Sequence, residues 1–356
     1  MKRVRYIDIL RGWAVLIMLF WHLNDALISD DIRGTAISYI SQFIGGLAAP
    51  MFLFTAGASS SILMFRKKNL FTAFTADFRK RTVRILMILF LAYLMHLPSE
   101  NIISVILSRS GETYLHFIKT DVLQVIAVGL LFLHFLFLLV KNSKVYFYSI
   151  SIIGILFIVL TPYVWLIDFG RYLPLEAATY FSSAYYSLFP VFPWLAYLFL
   201  GAAVMHLVIE NRDNEKYFLL KIFMAGTAMI IVGLVTHLAG IKTSINYNFW
   251  VTSINIFMIK LGTVLVLMWF FSAIIQKLNY DMKIFKTFSS ESLFIYVVHL
   301  LLIYGSGKYT LQTIYGRTLN WMELAVIYFT MAFGLLVAAK TWCKLKQFCK
   351  SKLSKA

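Results

Sequence analysis

The sequence predicts an all-α, polytopic membrane bundle of about ten transmembrane helices, and three observations carry that prediction. Of 356 residues, 60% are hydrophobic and only 14% charged, whereas a soluble domain carries roughly a quarter charged residues. Mean hydropathy is +0.78. Apolar runs near the spanning length of about 20 residues recur along the chain, without the period-two alternation and polar inner face that a membrane barrel needs.

Taken in order, the runs fall near 9–28, 37–64, 83–98, 121–140, 145–166, 187–208, 218–239, 253–275, 290–306 and 321–339. The first follows a basic MKRVR, but it is long enough to span and lacks a small-residue cleavage site, so it is read as a helix and not a removed signal. The second exceeds one membrane thickness, and Gly45, Gly46 and Pro50 predict a break within it. Four connecting stretches, 99–120, 167–186, 240–252 and 305–320, are longer than turns and rich in Tyr, Ser, Thr and Asn. They suit either an interfacial aromatic belt or a polar mouth for a sugar-like ligand.

Charge sets the orientation. The net charge is +17. With the N-terminus inside, Lys2, Arg3, Arg5, the 66–81 loop, Lys141, Lys144, Arg212, Lys216, Lys277, Lys283, Lys286 and the C-terminal lysines all face the cytoplasm. The other side keeps only Arg33, Arg109, Lys119, Arg171, Lys242, Lys308 and Arg317. That asymmetry obeys the positive-inside rule with both termini cytoplasmic, so the basic balance needs no nucleic-acid partner. The two cysteines, Cys343 and Cys349, are too few and too close to the tail for a disulfide framework. One transmembrane domain, 1–340, with a basic cytoplasmic tail, 341–356, accommodates the chain.

Ionisable groups inside the first run ask for a function. Asp8, Arg11, Val15, Met18 and His22 step by three and four and share one helix face. Arg11 and His22 lie eleven residues apart, roughly 16 Å along the axis. Arg11 thus falls near the inner surface and His22 beyond mid-membrane, with Asp25 one turn further on and able to fix its tautomer. Snorkelling of Arg11 and simple packing of His22 are the plain alternatives; intramembrane ionisable groups on one face otherwise mark a pathway. In DFRKRTVRILM, Arg81 and Arg84 sit one turn apart at the start of the third run, a spacing that fits loop charge bias or a forked clamp on phosphate.

These residues resemble the transmembrane acyltransferase superfamily, which unites the acyltransferase-3 proteins and the heparan-alpha-glucosaminide N-acetyltransferase group. Arg11 and His22 fit its first-helix pattern, a basic residue, ten residues, then His; Arg81-Thr-Val-Arg84 fits its second. AAPMFLFTAGASSS (48–61), DVLQVIAVGLLF (121–132), FPWLAYLFLGAAV (192–204), FWVTS (249–253) and SLFIYVVHLLL (292–302) resemble successive blocks of the bacterial heparan-type branch. No His lies between His22 and Pro50, where the lysosomal enzymes use one in the loop, so the chemical role passes to His22, as in acyltransferase-3 proteins.

The resemblance implies an acetyl-CoA-dependent O- or N-acetyltransferase of the cell inner membrane. It would move acetyl from cytoplasmic acetyl-CoA to a sugar or glycan acceptor across the bilayer, with no metal. Arg11, Arg81 and Arg84 would hold the CoA phosphates, and His22, oriented by Asp25, would act as base or form a transient acyl-imidazole. Gln124 is a candidate donor to the cofactor arm or a plain interhelical contact. Tyr296 and His299 share a face and are assigned to the acceptor cavity. Lys260 is the remaining intramembrane cation, too deep to snorkel easily. His96, His116, His134, His206 and His237 show no metal-ligand spacing. The runner-up is a multi-pass transporter or exporter, against which the chain shows no two-fold repeat.

Overall fold

The structure, a computed structural model, describes residues 4–66, 74–97, 102–108, 111–242, 248–278, 282–305 and 309–353. Lys2, Arg3, Arg109, Lys308 and the last residues of the basic tail, which enter the orientation argument, lie outside them. The described residues are helical throughout, with no strand; β-pairing among them is limited to a bridge between Ile28 and Leu319.

Among the described residues, eight helices are long and apolar enough to cross a bilayer, and nine if a bent pair is taken as one span. The predicted break in the second run falls at Gly46 and Leu47, between Ala36–Gly45 and Ala48–Arg66. The predicted third run lies on Ala76–Leu94, whose early turns hold Asp77, Arg79, Lys80, Arg81 and Arg84, too many charges for that count. The ninth is the bent pair, Lys283–Ser290 and Ser292–Tyr304, which turns by 76° at Glu291. Residues 341–353 of the predicted tail continue the Trp321–Leu353 helix without a break.

The chain forms two compact units, one built on Leu53–Phe270 and the other on the residues up to Phe52 together with those from Phe271 on. In the first, Val191–Glu210 packs against Ser143–Val164 and Val122–Leu139, and Ala76–Leu94 packs on Val122–Leu139. Small residues set these distances. A Cβ on Gly57 would lie 1.9 Å from the Leu198 carbonyl oxygen, and one on Gly201 would lie 2.2 Å from that of Phe54. The two backbones therefore touch where any side chain would part them, and Ser61 Oγ ties the same crossing by donating to the Ala202 carbonyl at 2.9 Å.

Two of the long connecting stretches are not open loops. Ile102–Ser108, Gly111–Ile118 and Leu175–Ala178 are short helices, and Val105, Tyr114 and Ile118 close a small apolar cluster with Leu115, Phe117 and Leu175. Tyr114 donates to the Glu176 carboxylate, and Ser187 Oγ accepts from the Thr120 amide at 2.9 Å. Their polar composition hid a few apolar residues, of which Leu175 lies 57 positions beyond Ile118, a meeting that no local pattern reveals.

In the second unit Arg5–Leu27 is the central helix, packed by Lys283–Ser290, Ser292–Tyr304, Trp321–Leu353 and Ala36–Gly45. Gly12 permits close docking, because a Cβ there would lie 2.6 Å from the Phe285 carbonyl oxygen. Trp13 stacks on Phe285 at 5.4 Å. The bend at Glu291 is held by Lys346, whose ammonium lies 2.6 and 2.8 Å from the buried carboxylate.

Candidate functional site

The first helix presents its polar face to the bent pair along its whole length. Val15 and Met18 are buried, while Asp8, Arg11 and His22 are half-buried. At one end Ser289 Oγ donates to Asp8 at 3.5 Å. At the other, His22 meets His299, ring centroids 5.1 Å apart, and Tyr304, centroids 5.8 Å apart and nearly perpendicular. Asp8 to His22 is fourteen residues, about 21 Å of helix, so Ser292–Tyr304 runs beside the first helix in the same direction.

His299 is fully buried. Its Nδ1 lies 2.8 Å from the Ile295 carbonyl oxygen, one turn back. A carbonyl only accepts, so Nδ1 carries the proton and donates, and in the neutral ring Nε2 keeps the lone pair. That Nε2 is buried with no hydrogen-bond partner among the described residues. A buried acceptor left this way costs free energy and is a place for a donor from a ligand. Tyr296, at 5.6 Å ring to ring, packs edge-on against His299. The residues assigned from sequence to the acceptor cavity are thus gathered beside His22.

Asp25 is engaged by Tyr304 and Arg33. Its carboxylate accepts from Tyr304 Oη at 3.4 Å and lies 3.9 Å from Arg33, while Arg33 Nη2 also donates to the Asp25 backbone carbonyl at 2.7 Å. Tyr304 Oη lies 3.1 Å from the His22 carbonyl oxygen as well. The carboxylate therefore locks the end of the helix through Tyr304 and Arg33. Tyr304, 279 residues away, and Arg33, eight residues on and past the end of the helix, escaped the sequence reading of this site because neither follows a helical period from Asp25.

In the other unit, Arg81 is half-buried and donates from Nη2 to Ser60 Oγ at 2.8 Å. Ser60 belongs to the Ala-Ser-Ser-Ser stretch, so the run of small polar residues supplies both the helix crossing, through Ser61, and the seat of Arg81. Met64 completes the surround, 3.8 Å from Ser60 Oγ and 3.6 Å from Tyr146 Oη. Arg84, one turn along, is exposed. The two arginines share a helix, yet one is anchored in the interior and the other lies at its edge.

Gln124 sits at the start of a helix. It is fully buried, and its Oε1 accepts from the Asp121 amide at 3.1 Å while Nε2 donates to the Lys119 carbonyl at 3.3 Å. With Asp121 accepting from the Val122 amide at 2.6 Å it forms a capping box at the start of Val122–Leu139. Its amide is engaged by the helix start and, at 3.5 Å, by His96 Nδ1. The pattern Asp-Val-Leu-Gln carried this signal, since an N-cap followed three residues later by Gln is a helix-start signature. Among the described residues no cluster of three His, Cys, Asp or Glu side chains gathers as a metal site would.

The chain is a many-spanning helical protein with a His22–His299 pair in one unit and a serine-seated Arg81 in the other. Residues 3–237 match the family described as heparan-alpha-glucosaminide N-acetyltransferase, catalytic. The chain belongs to that family of membrane acetyltransferases. Compared with curated proteins, it shows no match.

Proposed function

We propose that the protein transfers an acetyl group from cytoplasmic acetyl-CoA to a hydroxyl or amine of a sugar or envelope glycan on the far side of the inner membrane, with both termini cytoplasmic. The observation that carries this is the pairing of His22 with His299, whose Nε2 awaits a donor. Arg81 and Arg84 supply cationic groups suited to CoA phosphates, for which forked guanidinium donors are the strongest partners, and Arg11 is a further candidate within its own unit.

The reaction asks little beyond positioning and proton transfer, because a thioester already carries a good leaving group. The acceptor's oxygen or nitrogen bonds to the acetyl carbonyl carbon, and the C–S bond breaks. The proton leaving the acceptor passes to His22 and from there to the CoA thiolate. Nε2 of His299 accepts a hydrogen bond from a neighbouring, non-reacting hydroxyl of the acceptor, which leaves the reacting group's proton to His22 and orients the nucleophile. Asp25, Tyr304 and Arg33 keep the His22 end of the first helix in place.

Vesicles holding the purified protein, given radiolabelled acetyl-CoA and glucosamine, test this directly. Labelled product is expected from wild type and not from His22→Ala, which still binds acetyl-CoA. Wild-type turnover by His22→Ala would reject the catalytic role.

A further inference from the structure

Lys260 takes no part in the chemistry above. It sits in Ile254–Leu278, six residues from the start of a candidate span, about 9 Å down the helix, and is only 7% exposed. A lysine at such depth ordinarily pairs with a carboxylate or a carbonyl. Among the described residues it has no carboxylate, carbonyl or hydroxyl partner; its ammonium lies over the Trp194 ring, 5.9 Å from the centre, a cation–π contact at the long end of the range that leaves its N–H donors without an acceptor.

Its neighbours are aromatic and carry donors of their own. Trp194 packs with Phe189 at 4.7 Å and Tyr197 at 6.1 Å, and Tyr197 stacks on Phe257 at 4.3 Å, one turn before Lys260. Tyr197 is 3% exposed. Neither its hydroxyl nor the Trp194 indole N–H has an acceptor among the described residues. One ammonium and two neutral donors, all without acceptors and all set on the helix faces that join Val191–Glu210 to Ile254–Leu278, call for a ligand rich in oxygen and negatively charged. A fatty-acid carboxylate would answer the charge but leave other donors unmet. A hydroxylated anion answers both.

We propose that Lys260, Trp194 and Tyr197 form a binding site for an anionic sugar, one bearing a carboxylate or a phosphate ester. Only the choice of a sugar body rests on the acetyl-transfer reading; binding is measurable with no acetyl donor present. The ammonium holds the anionic group, and the tyrosine and tryptophan donors meet ring hydroxyls beside an aromatic wall. The site lies wholly within the unit built on Leu53–Phe270.

The experiment measures tryptophan fluorescence of the full chain in detergent micelles during titration with glucuronate, glucose 6-phosphate and neutral glucose. Saturable quenching is expected with one or both anions and not with glucose. The anion that binds tells carboxylate from phosphate. Lys260→Met is expected to weaken binding ~10–100-fold, as loss of a charge-assisted hydrogen bond does, and Lys260→Arg to retain part of it. Trp194→Phe is expected to bind with the quenching signal reduced. Lys260→Met should also unfold at higher temperature, since it replaces an unpaired buried ammonium with an apolar chain. Equal binding of glucose and the anions, or unchanged affinity in Lys260→Met, overturns the proposal. Loss of acetyl transfer in wild type with anion binding intact would instead count against the enzymatic reading alone.

Discussion

Two histidine neighbourhoods in this protein look alike in composition and differ in what they leave available. His96 has Asp121 and Gln124 beside it; His22 has Asp25, Tyr304 and His299. At the first, Nδ1 of His96 donates to the Ala92 carbonyl at 3.0 Å, Nε2 lies 3.6 Å from the Asp121 carboxylate, and Asp121 and Gln124 together cap a helix. The polar atoms there are spent on holding the start of Val122–Leu139. At the second, the carboxylate and the tyrosine fasten the helix end, and a buried imidazole nitrogen is left with its lone pair unused. Composition does not separate a fastening from a site; the inventory of satisfied atoms does.

The strongest break in this comparison is His22→Ala, expected to lower acetyl transfer by ~10²–10⁴-fold, the usual worth of a positioned base, with acetyl-CoA binding preserved. His299 comes next. Leu in its place is expected to raise the acceptor KM and lower kcat/KM ~10–100-fold, while Gln, which carries an amide oxygen or nitrogen near the Nε2 position, restores part of it. Equal rates in Leu and Gln variants would reduce His299 to packing. Arg81→Ala is expected to weaken acetyl-CoA binding about tenfold and to weaken a CoA analogue lacking phosphates little; equal losses for both ligands would exclude a phosphate role.

The matching change at the fastening sharpens the contrast by its modest effect. Gln124→Ala is expected to cost about 1 kcal/mol of stability through the lost cap, read as an earlier unfolding midpoint, with acetyl transfer per folded molecule unchanged. Least affected is the connecting stretch near Asp168. There the Tyr185 hydroxyl, helped by Arg171, holds the Asp168 carboxyl below its ordinary range. A lowered pKa means the contact is fully present above the ordinary carboxylate value and is lost only as pH falls through the lower one. Protease resistance of 167–186 is therefore expected to persist to about pH 4, and Asp168→Asn to shed that resistance at neutral pH by a small margin.

The fold class and the first-helix face were written in the chain, because lipid demands long apolar helices and a helix repeats every three to four residues wherever it occurs. Asp8, Arg11 and His22 on one face follow from spacing alone, and the structure adds only what that face meets. The break at Gly46 and Leu47 was legible for the same local reason. Arg81 with Ser60, His299 with His22, and Tyr304 with Asp25 were not, since each joins segments 21 to 279 residues apart. Whether a buried polar side chain binds a ligand or ties a helix depends on which partners packing brings within three ångströms. Those partners are chosen by backbone crossings such as Gly57 on Leu198 and Gly12 on Phe285, and only the assembled tertiary structure decides them.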